Sequence, residues 1–390
     1  MSLNEQMSAE RVHIGFFGQR NAGKSSLVNA ISGQDLSVVS DHPGTTTDPV
    51  KKAMELLPIG PVLLIDTPGL DDEGSLGEKR ILKTNEVLRH TDIAILVADA
   101  QKGLTDDDRE LLKKFQKRGL PHLTVYTKSD LAGFKSEPGD GEIYVSSADM
   151  TGINHLKDMI GQLAKAAAKE KPIVSDRLNP EDVVILVVPI DKAAPRGRLI
   201  MPQQMVIRDL LDGGMMPVVC RDTELDKALL SLSVKPAMVI TDSQVFAKVA
   251  RIIPEDIRLT SFSILMARYK GVLEQSLNGA AMLDEIKDGD RILISEGCTH
   301  HRQCGDIGTV KLPALIRKYT GADPEFSFTS GGTFPEDPSE YKLIIHCGGC
   351  MLNEKEMLSR QRIAEDKNIP FTNYGIAMAK MNGILKRMEL

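Results

Sequence analysis

The stretch Gly18-Gln19-Arg20-Asn21-Ala22-Gly23-Lys24-Ser25 constrains the fold more than any other part of this chain. It fits the pattern G-x-x-x-x-G-K-S, follows an apolar run from Val12 to Phe17, and opens a helical period at Lys24. A strand, a glycine-rich turn and a helix in that order make a cradle for phosphate groups. The glycines let backbone N–H groups turn inward, and the helix N-terminus adds a favourable dipole. Gly18, Asn21, Ala22, Gly23 and Ser26 are the expected lining. Lys24 is expected to reach the β- and γ-phosphates, and Ser25 to hold magnesium.

Such a loop requires an α/β unit, and the chain supplies one. Val62 to Ile65, Ile93 to Ala98, Leu123 to Tyr126 and Ile143 to Val145 are short apolar runs with helical stretches among them, the last an Ala- and Lys-rich helix around Gly161 to Glu170. Lys171-Pro172 then marks a linker. This alternation predicts a mostly parallel sheet with helices on both faces. A second α/β segment reads from strands at Val183 to Val188, Pro217 to Cys220, Ala237 to Thr241 and Arg258 to Ser263. Helices are expected at Gln203 to Leu211, Glu224 to Leu232 and Gln244 to Arg251. A third begins with a helix at Gly271 to Ile286, carries strands at Arg291 to Ser295, Lys342 to His346 and Pro370 to Thr372, and closes with a helix at Ile376 to Met388. The expected architecture is a P-loop domain over 1–172, followed by two smaller α/β domains, a structural or dimerisation domain over 180–268 and a third over 270–390.

Later elements specify the nucleotide. Asp66-Thr67-Pro68-Gly69 follows a strand, so Asp66 is placed to bind magnesium and the Gly69 amide to sense the γ-phosphate. Asp41 to Asp48 is a hydroxyl-rich segment suited to a first switch, with Thr46 the expected magnesium cap. Thr127-Lys128-Ser129-Asp130 resembles the N-K-x-D guanine motif. Asp130 can accept from the guanine N1 and N2 groups, which adenine does not offer, and the Lys128 stem can cover the base. Thr127 stands where Asn is usual, so one tethering contact is expected to be weaker or lost. Ser146-Ser147-Ala148 matches the loop that meets guanine O6 through backbone. GTP is therefore expected over ATP. Leu70 follows the D-T-P-G stretch where Ras-like enzymes carry a water-orienting Gln, so slow hydrolysis is expected. Asn21 stands where the potassium-stimulated branch of the TrmE/Era-like GTPases carries a residue that coordinates K+, a cation able to offset developing phosphate charge.

Composition enters where partners are concerned. A net charge of −6 argues against nucleic acid as the main partner, and a chain without Trp lacks the stacking platforms of single-strand binders. The longest apolar run, about eight residues from Val183, falls far short of the roughly 20 needed to span a membrane. Met1 to Arg11 is polar with no signal-peptide core. A cytoplasmic location is the expectation.

The cysteines form the second strong signal. There are five, none in the first 219 residues, and four fall between Cys298 and Cys350. Cys298-Thr299-His300 follows one strand, and His346-Cys347-Gly348-Gly349-Cys350 follows another. Carboxyl ends of strands in one open sheet would bring Cys298 and Cys347 together. Three thiolates with an imidazole suit a Cys3His zinc site or an iron–sulfur cluster with a non-Cys fourth position, and spacing does not choose between them. Cys304 reads as an ordinary thiol and Cys220 as a small buried hydrophobe.

A TrmE/Era-like GTPase module, an α/β spacer and a terminal C-x-H…H-C-x-x-C set together resemble the [FeFe]-hydrogenase maturation GTPases, over essentially the whole chain. The resemblance implies a homodimeric scaffold. It would hold a 4Fe-4S cluster through Cys298, Cys347 and Cys350, with His300 or His346 near the fourth position. It also implies a transient diiron precursor, received from two radical-SAM maturases and delivered to the apo-hydrogenase. The competing reading is a GTPase with a structural zinc domain in ribosome or tRNA metabolism, which predicts salt-sensitive RNA binding.

Overall fold

The computed structural model describes residues 11–33, 49–57, 59–67, 84–131, 138–167, 171–190, 199–297 and 307–388. The chain divides into two compact units, Met1–Glu170 and Lys171–Leu390.

The first unit is built on a six-stranded sheet in the order β2-β3-β1-β4-β5-β6. The strands are β1 (Val12–Phe17), β2 (Val50–Leu56), β3 (Gly60–Asp66), β4 (Ile93–Asp99), β5 (His122–Thr127) and β6 (Glu142–Tyr144). Every pairing is parallel except the edge pair, where β2 runs antiparallel to β3 with Val50 opposite Asp66. β4 explains why this sheet needs cover on both sides. Ile93, Ile95 and Val97 pack with Leu27 and Ile31 of helix Lys24–Ser32 and Leu156 and Ile160 of helix Ile153–Ala167. Ala94 and Leu96 point the other way, to Leu111 and Phe115 of helix Asp106–Lys117. A strand buried on both faces reads as one unbroken apolar run.

The second unit holds two four-stranded sheets, each parallel throughout. One has the order β10-β9-β7-β8, from β7 (Val183–Val187), β8 (Met216–Cys220), β9 (Met238–Thr241) and β10 (Arg258–Ser261). Pro217 is tolerated because β8 is an edge strand, where a missing N–H can face away from the ladder. The other has the order β12-β11-β13-β14, from β11 (Arg291–Glu296), β12 (Glu325–Ser330), β13 (Leu343–His346) and β14 (Phe371–Asn373). The two sheets are joined within the unit. Asn373 Nδ2 donates to the Ser263 carbonyl at 3.0 Å, and the Arg387 guanidinium donates to the carbonyls of Ala250, Ile253 and Pro254.

Several boundaries differ from the sequence reading, among them the helix read around Gly161 to Glu170, which spans Ile153–Ala167. The strand read as Arg258 to Ser263 ends at Ser261, where an apolar helix, Phe262–Tyr269, begins. The helix expected over Gly271 to Ile286 is Leu273–Gly279 followed by a 3-10 turn, Ala280–Glu285. The last helix is Tyr374–Met381, broken at Gly383, whose φ of 70° is left-handed, before a 3-10 turn at Leu385–Arg387.

Candidate nucleotide and cluster sites

The phosphate loop joins β1 to helix Lys24–Ser32. Two of its glycines are required by geometry. A Cβ on Gly18 would stand 2.1 Å from the Val97 carbonyl oxygen, and φ there is +138°. Gly23, at φ +91°, begins the helix, and a Cβ on it would crowd Thr127. Lys24 is buried, and its ammonium donates to the carbonyls of Gly18 at 2.8 Å and Gln19 at 2.7 Å. Gln19 reaches out of the loop to Thr105 and Asp107 at the start of helix Asp106–Lys117. Asn21 is exposed and left-handed, with φ 59°, while Ala22 is buried.

Ser25 and Asp66 meet. Ser25 Oγ donates to Asp66 Oδ2 at 2.5 Å, while Asp66 Oδ1 is buried with no hydrogen-bond partner among the described residues. Burial pushes the Asp66 carboxyl above its ordinary value, against the Ser25 hydrogen bond and the Lys24 charge. A hydroxyl beside a buried carboxylate oxygen without a partner fits a hard divalent cation such as magnesium. Thr46, Gly69 and Leu70 lie outside the described residues.

Of the two outcomes expected at Thr127, a weaker contact or a lost one, the geometry excludes the loss. Its hydroxyl donates to the Ala22 carbonyl of the phosphate loop at 2.6 Å, and also lies 3.2 Å from the Ala98 carbonyl. The tether is therefore present. Gly23 has no side chain, so the loop approaches closely enough for a short hydroxyl to span the gap. Lys128 adds a second tie, with its ammonium 2.9 Å from the Asn21 carbonyl and 2.7 Å from Asp99 Oδ2. Burial works to raise the Asp99 carboxyl, but the Lys128 ammonium and the Gln101 amide outweigh it and hold its pKa below the ordinary value. Asp99 was missed in the sequence, although a carboxylate closing a fully apolar strand was a readable signal. Asp130 is exposed, and the Ser129 amide donates to the Val145 carbonyl at 3.2 Å. That bond brings the Thr127–Asp130 and Ser146–Ala148 segments together. Ser146 is buried and its Oγ accepts from the Ala148 amide, while Ser147 is half-buried.

In the second unit, β11 and β13 lie side by side, with Ser295 opposite His346. The Gly297 amide, one residue before Cys298, donates to Cys347 Sγ at 3.0 Å, and the Gly349 amide lies 3.4 Å from the same sulfur. Gly349 is left-handed, with φ 63°, which turns the chain back over the sulfur between the two cysteines. Burial raises the Cys347 thiol, with those two amides opposing it, and burial pushes Cys350 up to about 12, with the neighbouring Cys347 adding to the rise. Lys270 opposes that rise, and its ammonium donates to the Leu352 carbonyl at 2.7 Å. Two half-buried cysteines three residues apart, with two backbone amides aimed at the Cys347 sulfur, are a donor set that suits thiolate ligation of a metal centre.

His346 faces the interior. It is fully buried, Nδ1 bonds the Cys347 carbonyl at 2.8 Å, and Nε2 lies 3.1 Å from Arg360 Nη1. Burial, and then the Arg360 charge, bring its pKa down to about 3. Both ring nitrogens of His346, one of the two histidines expected near the fourth position, are engaged within the fold. Cys298, His300 and Cys304 lie outside the described residues. Among the described residues no three His, Cys, Asp or Glu side chains group as a metal site. Cys220 is half-buried on an edge strand, its thiol raised by burial to about 11. No described helix is long and apolar enough to cross a membrane.

Comparison with known proteins divides along the chain. A 50S ribosome-binding GTPase family matches residues 13–128, the hydrogen maturase F dimerization domain matches 173–271, and the hydrogen maturase F tetramerization domain matches 274–389. The tRNA modification GTPase MnmE of Nitrosomonas europaea is 35% identical over 153 residues, covering 38% of this chain and 34% of its own length. GTPase Der of Kosmotoga olearia is 37% identical over 140 residues, covering 35% and 31%. The chain spans about a third of the length of these curated relatives. A solved point variant of Aquifex aeolicus Era bound to GDP.AlF4- aligns with 17% identity and a TM-score of 0.34, covering 62% of this chain and 97% of that one. A likeness of that size carries no argument.

Proposed function

The chain belongs to the hydrogen maturase F family, and on that premise we propose that it is a GTP-hydrolysing scaffold for assembly of the [FeFe]-hydrogenase metal centre. In this reading Gly18, Asn21, Ala22, Gly23, Lys24, Ser25 and Ser26 hold the phosphates. Ser25 and Asp66 hold magnesium, with Thr46 completing the shell and Gly69 reporting the γ-phosphate. Thr127 and Lys128 brace the phosphate loop, while Asp130 and the Ser146–Ala148 turn read guanine. Asn21 receives potassium, which offsets developing phosphate charge, while Leu70 cannot orient the attacking water, so turnover is slow and faster in K+ than in Na+.

Cys298, Cys347 and Cys350 are the proposed ligands of a 4Fe-4S cluster. The observation that carries this is the Gly297 amide on Cys347 Sγ, one residue from Cys298. When bound, the cluster supplies an iron–sulfur centre with one position open to a non-Cys ligand. Of the two histidines proposed near that position, His300 is the one we favour, because His346 is committed to Arg360 and the Cys347 carbonyl. The protein's own contribution is to bury the sulfurs and aim backbone amides at them. The proposed cargo is a diiron precursor, received from radical-SAM maturases and passed to the apo-hydrogenase. The matched dimerization and tetramerization domains support an oligomeric scaffold, and a cytoplasmic location follows from this role.

Cys347→Ser tests the division of labour. The variant should lose reconstituted iron yet keep its GTP turnover, including any K+ over Na+ preference. Loss of GTPase activity together with iron would instead make the cysteines structural.

A further inference from the structure

Arg360 is the largest fully buried side chain in the described structure. A buried guanidinium is costly unless its donors are met, and here they are met in an ordered way. Nε donates to Glu356 Oε1 at 2.8 Å, one helical turn back on Glu354–Glu365. Nη2 donates to the Gly331 carbonyl at 2.7 Å. Nη1 lies 3.4 Å from Ser295 Oγ and 3.1 Å from His346 Nε2. The plane also lies over the Phe334 ring, 5.2 Å from its centre.

These partners share a location. Ser295 is near the end of β11, Gly331 follows β12 directly, and His346 ends β13. One side chain therefore ties the carboxyl ends of three adjacent strands, and two of them lead directly into Cys298 and Cys347. Arginine can only donate, so His346 Nε2 must accept, and the ring proton resides on Nδ1, which donates to the Cys347 carbonyl. Arg360 thus fixes the peptide of Cys347 through His346. The Nη face, not the Glu356 carboxylate, is what meets the strand ends.

We propose that Arg360 is a positioning residue of the cluster site, which locks the strand ends at Ser295, Gly331 and His346 and sets a buried positive charge behind Cys347 that raises the cluster's reduction potential. This rests on the cluster reading above. Glu356 acts through Arg360, tempering that charge.

The test is an EPR-monitored redox titration of the anaerobically reconstituted full chain, with GTP turnover as the check on folding. If the wild-type chain takes up no cluster, the cluster reading itself fails, and this inference with it. If it does, Glu356→Gln should move the midpoint to higher potential and Arg360→Met to lower potential. Arg360→Lys keeps the charge but loses the fork, so it should hold the midpoint near wild type and release iron faster to a chelator. Structural loosening alone does not shift two variants in opposite directions. Midpoints equal to wild type, or shifts of one sign in Glu356→Gln and Arg360→Met, overturn the proposal. Should Arg360→Met fail to fold, the upward shift in Glu356→Gln decides it, and its absence is a refutation.

Discussion

Thr127 illustrates what a single residue can do when its neighbour is glycine. The motif in its usual form uses the longer Asn, and the sequence alone suggested a weakened tether. The 2.6 Å bond to the Ala22 carbonyl shows that a hydroxyl suffices where Gly23 lets the loop close in. Removing it leaves a buried carbonyl short of a donor, worth about 1–3 kcal/mol. Thr127→Val should therefore weaken GTP binding about tenfold, as measured by calorimetric titration. Unchanged affinity would mean that the Lys128 contact to Asn21 carries the loop alone. His90 gives a prediction in pH. Burial, and then the charges of His13, Lys51 and Arg89, hold its pKa down to about 3 against an ordinary 6.5. The unfolded chain takes up this proton below pH 6.5 and the folded chain does not until about pH 3. Its contribution is thus fully present above 6.5 and is lost as pH falls through that window, at up to about 1.4 kcal/mol per pH unit. His90→Gln should flatten the acid limb of urea-unfolding stability between pH 6 and 5, and an acid limb as steep as wild type would contradict this assignment.

At the scale of elements, legibility followed burial. β1, β4 and β7 are buried along nearly their whole length and read directly as apolar runs. β2 and β12 were not read, because both are edge strands with partly exposed, polar sequences. Helix Phe262–Tyr269 was partly absorbed into β10, since no Gly or Pro separates them and its residues are largely apolar and buried. The Gly297 amide lies against Cys347 Sγ, while Cys298 itself falls outside the described residues, and Arg360 and Lys270 gave no signal. Charged residues in a polar-looking helix or at a helix end read as solvated, and only the fold shows them buried. Gly279 shows the same limit. Helix Leu273–Gly279 lies so close to β14 that a Cβ there would stand 2.1 Å from the Phe371 carbonyl oxygen. Gly279→Ala should cost about 1–3 kcal/mol through forced displacement, visible as a lower melting temperature. A neutral substitution would mean that the helix can slide on the sheet without loss.

On the scale of the whole molecule, the chain divides into two units, and the proposed function gives each its own chemistry. The first unit has a glycine-built phosphate loop, a carboxylate beside Ser25, and a Thr127–Asp130 strand end braced to the loop. The second carries two half-buried cysteines at the carboxyl edge of a parallel sheet, where open α/β sheets place their ligands. The matched families divide at the same place, with a GTPase before residue 128 and hydrogen maturase F domains from residue 173 onward. The central claim is that the second unit holds iron rather than serving only as an assembly surface. Metal and sulfide analysis of the anaerobically reconstituted full chain, with EPR after reduction, tests it most directly. The account predicts about four iron and four sulfide per chain and a reduced-cluster signal, both lost in Cys347→Ser. Uptake of zinc alone, or iron retained undiminished in Cys347→Ser, would contradict it.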